Sequence, residues 1–204
     1  MQKKRLVIGI SGASGAPLAI HLLQALRELP EWETHLVISS SGALTIREES
    51  GLIVHEVEQL ADVTYDIRSI GAAIASGSFE TQGMIVIPCS MKTAAGICSG
   101  YADNLLLRAA DVTLKERRKL VLIAREAPFS GIHLRNLQDL SQAGAIILPP
   151  MMTFYNQPSS IEDMVHHIVC KALGVWNIAI PGYRRWAGAS AEDADRGEVL
   201  RSCD

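Results

Sequence analysis

Apolar residues come in short continuous runs, each broken by a small-residue turn and followed by a stretch with helical spacing. The first run covers 5–10 and dissolves into glycine and hydroxyl residues, LVIGISGASGA over 6–16. From Pro17 to Leu29 the leucines and Ile20 recur at helical spacing, with Arg27 and Glu28 left for the solvated side. Pro17 suits the first helical turn, where no amide hydrogen is needed, and Pro30 ends the helix. THLVISS, 34–40, predicts a second strand ending in hydroxyls, and 42–50 a second helix. That helix ends in Glu48 and Glu49. Two carboxylates at a helix C-terminus face the unfavourable end of its dipole, which costs about 0.3–1 kcal/mol each when exposed, so one of them is there for another reason.

Residues 52–80 show weaker periodicity: an extended piece is expected near Ile53 to Val57 and a short helix around Ile70 to Ala75. The pattern returns with GMIVIP, 83–88, a buried strand leading through CSMKTAAG into another helix start. A helix is predicted over 104–115, then a strand in KLVLIARE, a helix over 133–143 and a last strand in AIILPP, 145–150. Ser159 or Ser160 can cap a final helix reaching Leu173, which Gly174 closes. Five apolar strands alternating with helices predict a three-layer α/β domain with a mostly parallel sheet. The ligand crevice of such a domain lies outside the carboxyl ends of the strands. It should gather Gly9 to Ser14, Ser39 to Ser41, Ser90 to Thr93, Arg125 and Glu126, and the loop from Pro149 to Tyr155.

Composition narrows the chemistry. The 204 residues are 48% hydrophobic but only 5% aromatic, so the core is aliphatic, and they suffice for one domain, taken as 1–187 with a peripheral tail at 188–204. A net charge of −3 with no arginine-rich arm argues against a nucleic-acid partner. Cys89, Cys98, Cys170 and Cys203 are too scattered for a zinc ribbon and read as reduced thiols of a cytoplasmic protein. No stretch has the length needed to span a bilayer.

The glycines of the first turn permit close approach of a ligand, and amides at the helix start can hold phosphate; the same small residues also suit a plain tight strand-to-helix turn. Ser90, Lys92 and Thr93 repeat the arrangement at a second helix start, where Ser90 can equally be an N-cap and Lys92 a solvated cation. Arg125 and Glu126, directly after a buried run, form either an ion pair or an anion clamp. Adjacent His166 and His167 lack a third ligand at metal spacing and are placed on a helix surface or interface. Cys89 could be a nucleophile but more often such a residue is core, and Ser11 and Ser14 do not sit in a hydrolase elbow.

Taken together, GISGASGAP, the serine after the second strand, SGSFETQGMIVIPCSMKT, YADNLLLRAADVTLKERRKLVL, REAPFSGIHLRN, ILPPMMTFYNQP and the terminal RRW resemble the flavin prenyltransferases, formerly described as aromatic-acid decarboxylase subunits. The resemblance runs from about 5 to 187. It implies a three-layer Rossmann-like or flavodoxin-like α/β subunit that binds FMN within a homo-oligomer, usually a dodecamer with active sites at subunit interfaces. Such enzymes join a dimethylallyl group from dimethylallyl phosphate to N5 and then C6 of reduced FMN, without a metal, and deliver prenylated FMN to a separate decarboxylase. The resemblance places FMN contacts on Gly12, Ala13, Ser14, Ser39, Ser90, Met91, Lys92, Thr93 and Arg125. It places the allyl phosphate at Ser14, Lys115, Arg125, Glu126, Tyr155 and Lys171 under Trp186, with Glu49, Glu126, Lys115 and Tyr155 in catalytic roles and Glu49 guiding proton movement.

Three departures stand out. Lys171 occupies a position where relatives carry arginine, which exchanges a planar fork for a point charge. Arg135 replaces a common glutamate, and Ser41 and Gly42 stand where bulkier residues are frequent. Two other readings share the FMN expectation: an oxidative peptidyl-cysteine decarboxylase, which lacks LKERR and carries a histidine after the first turn, and a non-catalytic flavin-binding subunit.

Overall fold

The computed structural model describes residues 3–188. Six strands form one parallel sheet: β1 (Lys4–Ile10), β2 (Trp32–Ile38), β3 (Val63–Tyr65), β4 (Gly83–Cys89), β5 (Lys119–Ala124) and β6 (Ile146–Ile147), in the order β3-β2-β1-β4-β5-β6. The helices are α1 (Ala16–Arg27), α2 (Ser40–Ser50), α3 (Val54–Glu58), α4 (Met91–Ser99), α5 (Leu105–Lys115), α6 (Gly131–Gln142) and α7 (Ile161–Leu173). β4 is apolar throughout, and β1 and β5 become so after their charged first residues, because both faces of the sheet are covered there. Leu6, Ile8, Ile10, Ile85, Ile87, Val121 and Ile123 meet α1 and α7 on one face, while Val7, Met84, Val86, Leu120 and Leu122 meet α4, α5 and α6 on the other.

Two expectations fail in the weakly periodic stretch. The β-branched residues Val54 and Val57 form helix α3 and no strand, with Ile53 as its extended N-cap; the Glu56 carboxylate accepts from the Ile53 amide at 2.8 Å, and only Val57 is buried. The sixth strand is β3, three residues at the sheet edge pairing His35, Leu36 and Val37 with Val63, Thr64 and Tyr65. The last predicted strand shrinks from 145–150 to the two residues of β6. Around 70–75 the helix is a single 3-10 turn, Ala73–Ala75.

Helix ends follow their caps. Ser39, Ser90, Asn104, Ser130 and Ser160 each accept an amide hydrogen from the first turn of the helix that follows. Gly83 opens β4 with φ of 135°, and a Cβ there would lie 2.2 Å from the carbonyl oxygen of Lys119 on the neighbouring strand. Backbone cannot yield as a side chain can, so Gly83→Ala is expected to cost about 2–4 kcal/mol through overpacking and the positive φ. Urea denaturation reads this directly; an unchanged midpoint would remove the steric argument.

Candidate active site

The strand order reverses between β1 and β4, and this switch point is where a parallel sheet opens a crevice at its carboxyl edge. Ser11, 1% exposed, binds the two sides together. Its hydroxyl donates to the Pro88 carbonyl at 2.9 Å and accepts from the Ser90 amide at 2.8 Å, and its own amide donates to Pro88 at 3.2 Å. Ser11 is therefore a structural stitch whose partners lie almost eighty positions away, which no local motif announces.

Beside the stitch lies a cleft of about 830 Å³, within the range of small-molecule sites. Gly12, Ser39, Ser41, Ser90, Lys92 and Thr93 line it, as the sequence leads one to expect. Ser39 caps α2 by accepting from Gly42 at 3.0 Å, and Ser90 caps α4 by accepting from Thr93 at 3.3 Å. Both caps hold helix N-termini, with their unpaired amides, against the cleft. Met91 also stands at the start of α4, but its side chain is buried in the core, so it offers the cleft only backbone. Small residues are needed here: a Cβ on Gly12 would fall 2.2 Å from Cβ of Ser41, and one on Gly42 would fall 2.6 Å from the Ile10 carbonyl oxygen. The far wall, with Ile67, Arg68, Tyr101, Asp103 and Asn104, comes from segments without a readable ligand signal.

The start of α1 behaves differently from the sequence reading. Its amides do not stand open for a phosphate: Oε2 of Glu49 accepts from both Gly15 and Ala16 at 2.8 Å. The carboxylate that looked misplaced at the end of α2 thus lies at the favourable, positive end of α1. Burial alone would raise the Glu49 pKa, but the Ser14 hydroxyl, these two amides and the Arg125 charge together hold it below the usual range. Glu49 is consequently ionised at neutral pH.

Arg125 and Glu126 emerge at the top of β5, where the Arg125 amide donates to the Cys89 carbonyl at 3.1 Å. Glu126 turns back to accept from the Ala127 amide at 3.1 Å. No ion pair joins Arg125 and Glu126, and among the described residues the exposed guanidinium has no carboxylate partner within salt-bridge distance. Neither residue lines the large cleft, and neither does the loop that follows β6.

That loop builds a second cavity of about 250 Å³ with α7, bringing Tyr155 and Lys171 together with Met151, Thr153 and His167. Of the histidine pair, expected on a helix surface or interface, His167 does not lie on the surface: it is 7% exposed and lies 3.2 Å from the Tyr155 hydroxyl. His166 packs against His21 instead, 3.0 Å between ring nitrogens. Trp186 sets its ring edge-on to Tyr155 with centroids 5.6 Å apart. Residues 189–204, including Cys203 and almost all of the expected tail, lie outside the described residues.

Lys115 is not brought to either cavity. It ends α5, only a few residues before β5 begins, at the amino edge of the sheet. It pairs there with Glu116 beside Gly77. The seven residues of β4 separate that edge from Ser90 by about 20 Å. Cys89 is fully buried and burial pushes its thiol up to about 12, which fits packing and not nucleophilic attack. No group of His, Cys, Asp and Glu among the described residues could hold a metal ion, and no described helix is long and apolar enough to cross a membrane.

Residues 1–173 match the family model described as Flavoprotein. The "Probable UbiX-like flavin prenyltransferase" of Streptomyces sp. (strain D7) is 53% identical over 190 residues, 93% of this chain and 95% of that protein. Among solved structures, a dodecameric FMN-dependent UbiX-like decarboxylase from Escherichia coli O157:H7 superposes with a TM-score of 0.89 at 53% identity, covering 90% of this chain and all of that one. AnUbiX (PadA1), in complex with FMN and dimethylallyl pyrophosphate, superposes with a TM-score of 0.90 at 46% identity, covering 93% of this chain and all of that one. The peptidyl-cysteine decarboxylase EpiD, at 18% identity and a TM-score of 0.59, shares the fold alone. With relatives of this identity across nine-tenths of its length, the chain belongs to the UbiX-like flavin prenyltransferase family.

Proposed function

We propose that this chain transfers a dimethylallyl group from dimethylallyl phosphate to reduced FMN, yielding prenylated FMN for a partner decarboxylase. The observation that carries the reading is the cleft at the strand switch point, where two capped helix N-termini, Gly12 and the hydroxyls of Ser39, Ser90 and Thr93 converge. Its volume and donor set fit a flavin mononucleotide: amides and hydroxyls for the phosphate and ribityl oxygens, and a glycine floor for the ring. Ala13, Ser14, Met91, Lys92 and Arg125 complete the proposed FMN set.

Reduced FMN, when bound, supplies the nucleophilic ring atoms that receive the allyl group. The chain's own residues then act on the phosphate and on protons. Arg125, with no carboxylate within salt-bridge distance among the described residues, is free to meet phosphate, and Lys115, Tyr155 and Lys171 add charge and donors as the leaving group develops its negative charge. Ser14 and Glu126 lie within the same proposed set, and Trp186 with Tyr155 gives the allyl side an aromatic wall that keeps water out. Glu49, held ionised by its amide partners, takes up a proton during ring closure and cannot donate one from its resting state. No metal is required, since the cations on the chain do the work of charge stabilisation.

A homo-oligomer, proposed as a dodecamer, is supported by two features. Lys115 stands at the opposite edge of the sheet from Arg125, so one site needs both only if two subunits meet there. Met151, Met152, Phe154 and Trp186, each more than 60% exposed, form an apolar surface near Tyr155 larger than scattered single residues explain. We place the assembly in the cytoplasm.

Anaerobic incubation with reduced FMN and dimethylallyl phosphate, followed by mass spectrometry of the released flavin, tests the assignment. The expected result is a flavin heavier by one isoprenyl unit, formed without added metal. A folded, FMN-loaded protein that never yields the adduct rejects it.

A further inference from the structure

His167 belongs to no role assigned so far, yet it lies in the same cavity as Tyr155 and Lys171. Its Nε2 is 3.2 Å from the Tyr155 hydroxyl, and the two rings meet edge to face with centroids 5.6 Å apart. Tyr183 tilts against its other side at 5.0 Å. The titratable groups facing it are Tyr155 from the loop, Tyr183 from the C-terminal segment, and His166 and Lys171 from its own helix. Burial, then the neighbouring His166 and Lys171, hold its imidazole below the ordinary value, so the ring is neutral at neutral pH and carries one N–H.

We propose that His167 is the positioning residue for Tyr155: it donates its Nε2–H to the phenol oxygen and so directs the phenol's own hydrogen to the phosphate of the allyl substrate. The inference rests on the reading that Tyr155 meets that phosphate. A phenol has one hydrogen to give, and its oxygen can accept another. Were the phenol to donate to His167, its oxygen would present only lone pairs to an anion, which repels it. A phosphate in the cavity therefore selects the imidazole tautomer with hydrogen on Nε2, and contacts with Tyr155 and Tyr183 on either side fix the ring plane for that bond.

His167→Phe keeps a ring but removes the donor, and His167→Gln restores an N–H at similar reach. Dimethylallyl phosphate binding to the FMN-loaded protein is read by calorimetry, and kcat/KM by flavin mass. His167→Phe is expected to lower both by about 5- to 20-fold, as loss of one hydrogen bond to a charged site does, with FMN affinity unchanged. His167→Gln should stay within about threefold of wild type, and in a Tyr155→Phe background His167→Phe should change neither quantity by more than about twofold, the signature of coupling through the phenol. His167→Leu, an apolar side chain without any donor, serves as the second donor-free variant and is expected to match phenylalanine. Donor-free variants equal to wild type, or equally costly with Tyr155 already removed, would overturn the positioning role. A wild-type protein that neither binds the allyl phosphate nor modifies FMN overturns the functional reading itself, a failure visible before any substitution is made.

Discussion

Glu49→Gln is expected to keep FMN and lose prenyl transfer, with turnover falling by about 10²- to 10⁴-fold, the usual weight of a positioned proton acceptor. The structure adds a second, separable effect. The carboxylate also accepts from Gly15 and Ala16 at the start of α1; glutamine keeps an accepting oxygen but loses the charge, so the variant should be less stable at neutral pH by about 0.3–1 kcal/mol, the worth of a charge at an exposed helix terminus. Because the folded pKa is depressed, this contribution is fully present above the ordinary carboxyl value of 4.5 and is lost as pH falls through the lower folded value. The gap between wild type and variant in urea denaturation should accordingly narrow in acid below that value. Normal turnover would remove the proton role, and equal stability at neutral pH would remove the cap.

Mixing two inactive variants should restore activity. Lys115→Ala and Arg125→Ala are each expected to lower turnover by at least about 10²-fold, since each removes a charge aimed at the departing phosphate. The two residues occupy opposite edges of one sheet, about 20 Å apart along its strands, and cannot meet within a subunit. In randomly mixed oligomers about a quarter of the sites should draw Lys115 and Arg125 from unmutated neighbours, and activity should recover to that fraction. Verified mixed oligomers that stay inactive would exclude a site shared in this way. Recovery is informative because neither parent alone can produce it.

The central architecture was legible because a strand covered on both faces leaves an unbroken apolar run: β1, β4 and β5 are visible in the chain by that property alone. β3 is not, since three residues at a sheet edge are too few for their alternation to stand out from the surrounding loop. Ile53, Val54 and Val57 favour strand by their branching, and only the Glu56 bond to the Ile53 amide decides for helix. The serine caps and the need for small residues at Gly12 were readable as turn chemistry. Glu49 was readable as an anomaly of helix electrostatics, but the helix end that resolves it lies more than thirty residues earlier. His167 stood out only as half of a histidine pair, and its partners were not readable, because they come from a loop and a terminal segment that only the folded chain sets beside α7.

Ser11 has a wider meaning than its three hydrogen bonds. By tying the turn after β1 to the turn after β4, one buried hydroxyl gives both sides of the cleft a common frame of reference. The ordering cost of that frame falls on folding and is not charged again when a ligand arrives, which leaves more of the contact energy for affinity. It also means that the shape of the cleft is an all-or-none property of the native domain: the two turns cannot drift apart while the sheet between them stays intact.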